Sequence, residues 1–258
     1  MIAEPQPTPY DLTFRIFRFP VRIHPMFWLT TLLTGQTSLQ RESPLPLLAI
    51  WVAVVFVSIL VHELGHAFAF RWFRADSRVC LYWFGGLATS NNPPGRPWPS
   101  IAVSLAGPGA GFILAAIVFA TNRASGWSVQ SLYTYEAYYQ LMWVNLAWGL
   151  MNLLPVLPLD GGQVCRQLYR IGGARRSEEA ALKTSVAVGA VVAAYGLMDY
   201  LGQPRALFNE IPSELRFQSL FTTVLFALLA YGSYQALEQL RSYSPWESSY
   251  DDTPWRRR

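Results

Sequence analysis

One run of apolar residues, from Leu45 to Phe70, constrains this chain more than any other feature, because it contains His62-Glu63-Leu64-Gly65-His66. A run of that length can cross a bilayer as a helix, since about 20 apolar residues cover the hydrocarbon core. On a helix, residues four apart share a face, so His62 and His66 point two imidazoles at one place. Glu63 lies beside the first histidine, where a carboxylate can take a proton from a metal-bound water. Two histidines and a glutamate are costly inside lipid, which marks the group as a functional site. Chance matches to this pattern fall mostly on polar surfaces, not within an apolar run.

The rest of the chain agrees with a membrane setting. Charged residues make up 14% of it and hydrophobic ones 52%, whereas a soluble domain carries about a quarter charged residues. The net charge of +4 could suit nucleic acid, but the basic residues sit between apolar runs instead of clustering on one soluble face. A bilayer is therefore the expected partner, and no nucleic acid. The start of the chain has no short apolar core followed by a small-residue cleavage site, so no cleavable signal is expected. Cys80 and Cys165 lie far apart without metal-finger spacing and read as free thiols on the cytoplasmic side. No internal repeat, P-loop or dinucleotide fingerprint is present.

These observations predict an all-α polytopic membrane protein of about six transmembrane helices, with a short membrane-associated β-hairpin after the second. Residues 1–9, with three prolines, read as a disordered lead-in, and the arginine–aromatic alternation of 14–25 as a strand or interfacial segment. A first, short span covers 26–33 and borrows flanking residues from 21–36. The second covers 45–72. Val79–Thr89 is the hairpin, with Gly85 and Gly86 at its middle. A third helix covers 100–121 and starts in a small-residue stretch, Ala106–Gly111, suited to close packing. The fourth begins near Ala137 and is broken after Asn152 by Pro155, Pro158, Gly161 and Gly162. Residues 163–183 read as a basic loop, 180–201 and 215–237 as the fifth and sixth helices, and 243–258 as a polar, disordered tail. With six spans, sixteen of the twenty basic residues fall on one side, which predicts both termini in the cytoplasm.

A catalytic zinc takes three protein ligands and keeps a position for water. The sequence has only three histidines, so the third ligand is His24 or a carboxylate. Asp160 is the obvious carboxylate within the apolar segments, although Asp before Gly-Gly is also a good turn residue. Glu178 and Glu179 are rivals, but Arg175 and Arg176 beside them suggest solvated ion pairs. His24 also suits a cap at the entry to the first helix. Asn145 and Asn152 are polar residues on a membrane helix and need partners. The Gly85–Gly86 hairpin offers either simple packing or a free strand edge that could hold an extended peptide.

His62-Glu63-x-x-His66 on one membrane helix, followed by Asn152-x-x-Pro155-x-x-x-Leu159-Asp160-Gly161 on another, resembles the site-2 protease family of intramembrane zinc metalloproteases. The resemblance covers about Val21 to Gly162, including the Val-Arg-Ile-His-Pro entry, the Phe-Gly-Gly hairpin and the Ala-Gly-Pro helix start. The six-span layout is similar to the compact bacterial branch that includes the sporulation-factor processing protease. The resemblance implies one zinc per chain on His62, His66 and Asp160, with Glu63 as the catalytic glutamate. It also implies that Asn152, and more weakly Asn145, positions substrate or steadies the Asp160 turn. The substrate would be a membrane-anchored protein, cut in or near its transmembrane segment in a bacterial cell membrane. On this reading residues 21–162 form the catalytic core, 1–20 a disordered or interfacial lead-in, and 163–242 a basic loop with two helices. Two departures stand out: Gly111 occupies a position where many relatives have asparagine, and no regulatory nucleotide-binding (CBS) or PDZ domain is read. The competing readings are a membrane zinc peptidase with a glutamate third ligand, and a non-catalytic membrane protein or transporter with a structural metal.

Overall fold

Helix α2, Pro44–Trp72, is a single unbroken helix of 29 residues. Pro44 opens it, where the missing amide donor would be unpaired in any case. It stops at Phe73 and Arg74, the latter at a φ of 61°. The computed structural model describes residues 4–35, 43–83, 85–173, 176–201 and 220–242. The predicted tail at 243–258, the first part of the predicted sixth helix, and Arg41, Arg175, Arg205 and Arg216 of the charge count lie outside these residues.

Helix α1 (Pro25–Thr34) precedes α2, and α3 (Pro97–Ser125) follows it. Next come α4 (Leu132–Trp143), a π-helical turn (Val144–Trp148) and α5 (Gly149–Asn152), then α6 (Asp160–Ile171), α7 (Ser177–Tyr200) and α8 (Leu220–Ser242). Among the described residues, four helices are long and apolar enough to cross a membrane: α2, α3, α7 and α8. The first predicted span is corrected in extent: helix α1 has 10 residues, about 15 Å of helix against a hydrocarbon core of about 30 Å. The fourth predicted span corresponds to α4, the π turn and α5, which follow one another without a gap from Leu132 to Asn152.

The basic loop predicted at 163–183 is a second correction, since α6 and the start of α7 occupy it. The glycines expected to break the chain instead begin α6. Gly161 and Gly162 are buried against the backbone of Leu153–Leu157, where any side chain would collide.

The predicted hairpin belongs to a larger, four-stranded sheet, ordered β1–β2–β3–β4. Strands β1 (Leu12–Ile16) and β2 (Phe19–Ile23) join through Phe17 and Arg18, both at positive φ, the left-handed pair that two-residue hairpins favour. Strand β2 pairs in parallel with β3 (Arg78–Tyr82), and α1 and α2 supply the crossover that a parallel pair needs. Strand β4 (Gly85–Thr89) pairs antiparallel with β3. The turn lies at Trp83 (φ 51°), so Gly85 and Gly86 are strand residues and not the hairpin tip. Phe84 lies outside the described residues.

The lead-in is also tied down from Glu4 onward. Arg22 donates to Glu4 and Asp11, each at 2.9 Å, and Arg78 donates to Glu4 at 3.1 Å. Arg71, at the end of α2, lies 3.6 Å above the Phe19 ring and donates to the Phe17 carbonyl. The sheet is thereby docked on the helix that carries the histidines. Phe19, Val21, Ile23, Val79 and Leu81 from the sheet pack with Phe27 of α1 and Val55, Ile59 and Leu64 of α2 in one core.

Leu81 has no exposed surface in this core, so Leu81→Ala should cost about 2–5 kcal/mol. The thermal aggregation midpoint of detergent-purified protein should fall. Leu168→Ala, half exposed on α6, should leave the midpoint in place, and an unmoved midpoint for Leu81→Ala would remove the sheet from the folding core.

Candidate metal centre

The helical spacing of His62 and His66 brings their Nε2 atoms to 3.2 Å. From the far end of the sequence, Asp160 places Oδ2 at 3.1 Å from His62 Nε2 and Oδ1 at 3.3 Å from His66 Nε2. One ligand atom from each residue lies within 4.8 Å of the others. Two ligands on a tetrahedral zinc at about 2.0–2.1 Å stand about 3.3 Å apart, so the donor set fits a small divalent ion.

Two further observations support that fit. The Nδ1 of His66 lies 2.7 Å from the Val103 carbonyl of α3. With the proton on Nδ1, this bond leaves the Nε2 lone pair directed at the shared point. Opposite, Gly107 of α3 faces the histidines, and a β-carbon there would collide with Nε2 of both. The small-residue stretch expected to serve packing thus also clears space beside the ligand atoms.

Asp160 is the first residue of α6, where the helix dipole favours a carboxylate. Both of its carboxyl oxygens face the histidine nitrogens, and it would bind a metal ion as the carboxylate. The turn that delivers it is held from two sides. The Leu157 amide donates to Ser185 Oγ of α7 at 2.9 Å, and Ser233 of α8 donates to the Leu157 carbonyl at 3.4 Å. Met151, Val156 and Phe226 form a small core beneath it. Nothing in local sequence pattern announces these braces.

Glu63 is buried beside the cluster, with Gly86 of β4 so close that a β-carbon would collide with its carboxylate. A cavity of about 890 Å³ opens onto these groups and is lined by His62, Glu63, His66, Gly85, Gly86, Asn145, Asn152 and Asp160 among others. Asn145 sits on the π turn and donates to Ser58 Oγ at 2.9 Å and to the Leu141 carbonyl at 2.8 Å. Its Oδ1 approaches Gly111, so the neighbouring helix brings an amide to the position where this chain has only glycine.

The rival ligands are elsewhere. Through Nδ1, His24 caps α1 on the Met26 amide, and its ring packs edge-on to Tyr82. Glu179 pairs with Lys183 at 2.8 Å and Arg176 at 3.3 Å, and Glu178 lies 3.5 Å from Arg166. Cys80 and Cys165 are free thiols.

A sequence profile for Peptidase family M50 matches residues 50–129 and 123–195, which include the whole cluster. A zinc metalloprotease of Methanocaldococcus jannaschii is 25% identical over 187 residues, 72% of this chain and 53% of that protein. Stage IV sporulation protein FB of Bacillus subtilis is 33% identical over 156 residues, 58% of this chain and 47% of that protein. The chain thus spans about half the length of these curated relatives. The solved site-2 protease from Methanocaldococcus jannaschii has the same fold, with a TM-score of 0.58 at 22% identity, over 88% of this chain and 95% of that one.

If His62, His66 and Asp160 are the ligands, protein purified with zinc should hold one ion per chain by elemental analysis. His66→Ala and Asp160→Ala should each lose it. Gly107→Val should lose it too, although it removes no ligand, because the added side chain enters the ligand space.

Proposed function

The chain belongs to peptidase family M50, and from that premise we propose that it is an intramembrane zinc metalloprotease. Its substrate on this reading is a membrane-anchored protein, cut at a peptide bond in or near the transmembrane segment. The observation that carries the proposal is that Asp160 converges at one wall of a cavity on His62, His66 and buried Glu63, which lie on a helix long and apolar enough to cross a bilayer.

His62, His66 and Asp160 would hold a zinc ion, which would supply Lewis acidity and an acidified water. Glu63 is placed to hold the proton that the attacking water gives up and to return it to the amine nitrogen as the peptide bond breaks. Its confinement against Gly86 keeps the carboxylate aimed, so little reorganisation is needed during the reaction. His66 stays in one tautomer through Val103, and Asp160 stays in place through the Ser185 and Ser233 braces.

A helical substrate hides its peptide bonds and must be drawn out to be cut. Strand β4 is an edge strand whose Gly85–Ala88 backbone lines the cavity beside Glu63. It holds the extended segment by main-chain pairing, with Asn145 and Asn152 on the opposite wall. The protein lies in the cell membrane, with the cluster end of α2 towards the cytoplasm. That orientation follows from the basic residues Arg71, Arg74 and Arg78 after α2, close to the cluster. A glutamate third ligand is not favoured, because Glu178 and Glu179 are engaged with Arg166, Arg176 and Lys183.

Glu63→Gln should keep one zinc per chain and lose at least about a hundredfold in cleavage rate, the usual scale for removing a general base. Full activity in that variant would refute the assignment of the base. Substrate peptides N-methylated at single backbone amides should be captured less tightly at alternate positions, with zinc content unchanged. Capture that is indifferent to N-methylation at every position would count against the strand clamp.

A further inference from the structure

The cavity does not end at the metal cluster but continues along α6. Asp160, Gln163, Gln167 and Arg170 recur at the spacing of one helical face. Gln163, Arg166, Gln167 and Arg170 all line the cavity. Gln167 is 8% exposed, and its Oε1 is buried with no hydrogen-bond partner. The adjacent Nε of Arg166 is likewise buried and unpaired, although its Nη1 reaches Glu178 at 3.5 Å. Leaving such groups unmet is unfavourable, so a partner is expected when the site is in use. An unpaired donor and an unpaired acceptor on consecutive residues of the cavity wall complement an extended peptide, which offers a carbonyl and an amide in turn.

Arg170 stands at the far end of this face. It is exposed and has no acidic partner among the described residues. Ten residues of α6 separate it from Asp160, about 15 Å along the helix axis. An extended chain covers that length in about four to five residues at about 3.3 Å each.

We infer that α6 is a substrate-reading track. Arg166 Nε and Gln167 Oε1 pair with the main chain of an extended segment, and Arg170 takes a carboxylate side chain about four to five residues from the scissile bond. The scissile bond belongs to the protease reading above, on which this inference rests. Capture of the carboxylate by Arg170 can be measured without cleavage.

The experiment uses the full chain in detergent, loaded with zinc and carrying Glu63→Gln so that bound peptide survives. The probes are two fluorescein-labelled pools of valine- and threonine-rich peptides, identical except for glutamate in one and glutamine in the other. By anisotropy the glutamate pool should bind roughly 3- to 10-fold more tightly, the scale of one charge-assisted contact. Arg170→Gln should erase that preference, and Arg170→Glu should transfer it to a lysine pool. Gln167→Leu should weaken all pools alike, because it removes a main-chain contact. Equal binding of the glutamate and glutamine pools, no binding of either, or a preference that survives both Arg170 variants would overturn the inference. Cleavage is scored separately with Glu63 intact. A glutamate preference in binding with no cut in any pool would leave the track standing and sink the protease reading instead.

Discussion

The structure depends on how polar groups are satisfied inside an apolar helix. Helix α2 buries Glu63 and His66 where water is scarce, and each unmet polar atom there would cost more than the side chain gains by packing. The neighbouring elements meet that demand. The Val103 carbonyl can accept a hydrogen bond from His66 Nδ1–H while still serving α3, because a carbonyl has two lone pairs. Gly107 lets α3 come close enough for this without entering the ligand space. The α2–α3 contact is therefore at once the packing interface of two long helices and the wall of the metal cluster.

The same reasoning explains why the sheet is attached to α2 and not left on the surface. Its central strands β2 and β3 contribute Val21, Ile23, Val79 and Leu81 to the core that holds the helix. Strand β4 is left as the outer strand, with its backbone at the cavity. An unpaired edge is ordinarily a liability that folds cover or shorten. Here its residues Gly85 to Ala88 line a cavity beside the buried Glu63 carboxylate. Arg71 over Phe19 ties the hairpin of β1 and β2 to the end of α2.

Much of this was legible from residues alone, wherever the signal is local. Apolar continuity gave α2 to within a residue, and the four-residue spacing placed both imidazoles on one face. Asp160 stood out as a carboxylate within apolar surroundings. The β3–β4 pairing was visible in its β-forming composition, but the turn was placed at the glycines, because glycine signals turns more often than it signals close approach. Gly86 is glycine for the sake of Glu63, which no local pattern reveals. Helix α6 was missed for a related reason. Two prolines and two glycines read as a break, yet Gly161 and Gly162 permit a helix start pressed onto the Leu153–Leu157 backbone. Pairing of β2 with β3 across α1 and α2 is equally non-local, so a hairpin was expected where a four-stranded sheet exists.

The C-terminal helices show how far such positioning reaches. Residues 62 and 66 are held by one helix, whereas Asp160 arrives nearly a hundred positions later on the first residue of another. Its placement depends on the turn before it, and a turn is held only by what touches it. Ser185 is fully buried and binds the Leu157 amide, while Ser233 binds the same residue's carbonyl from a different helix. Two apolar helices that carry no ligand thus satisfy both polar groups of one residue in the turn, and Phe226 fills the space below. Without them the Leu157 amide and carbonyl would lack these partners in an apolar setting, and the turn would have to find a different path. The candidate metal site is in this sense a property of α2, α3, α6, α7 and α8 together, although its three donor side chains come from only two of them.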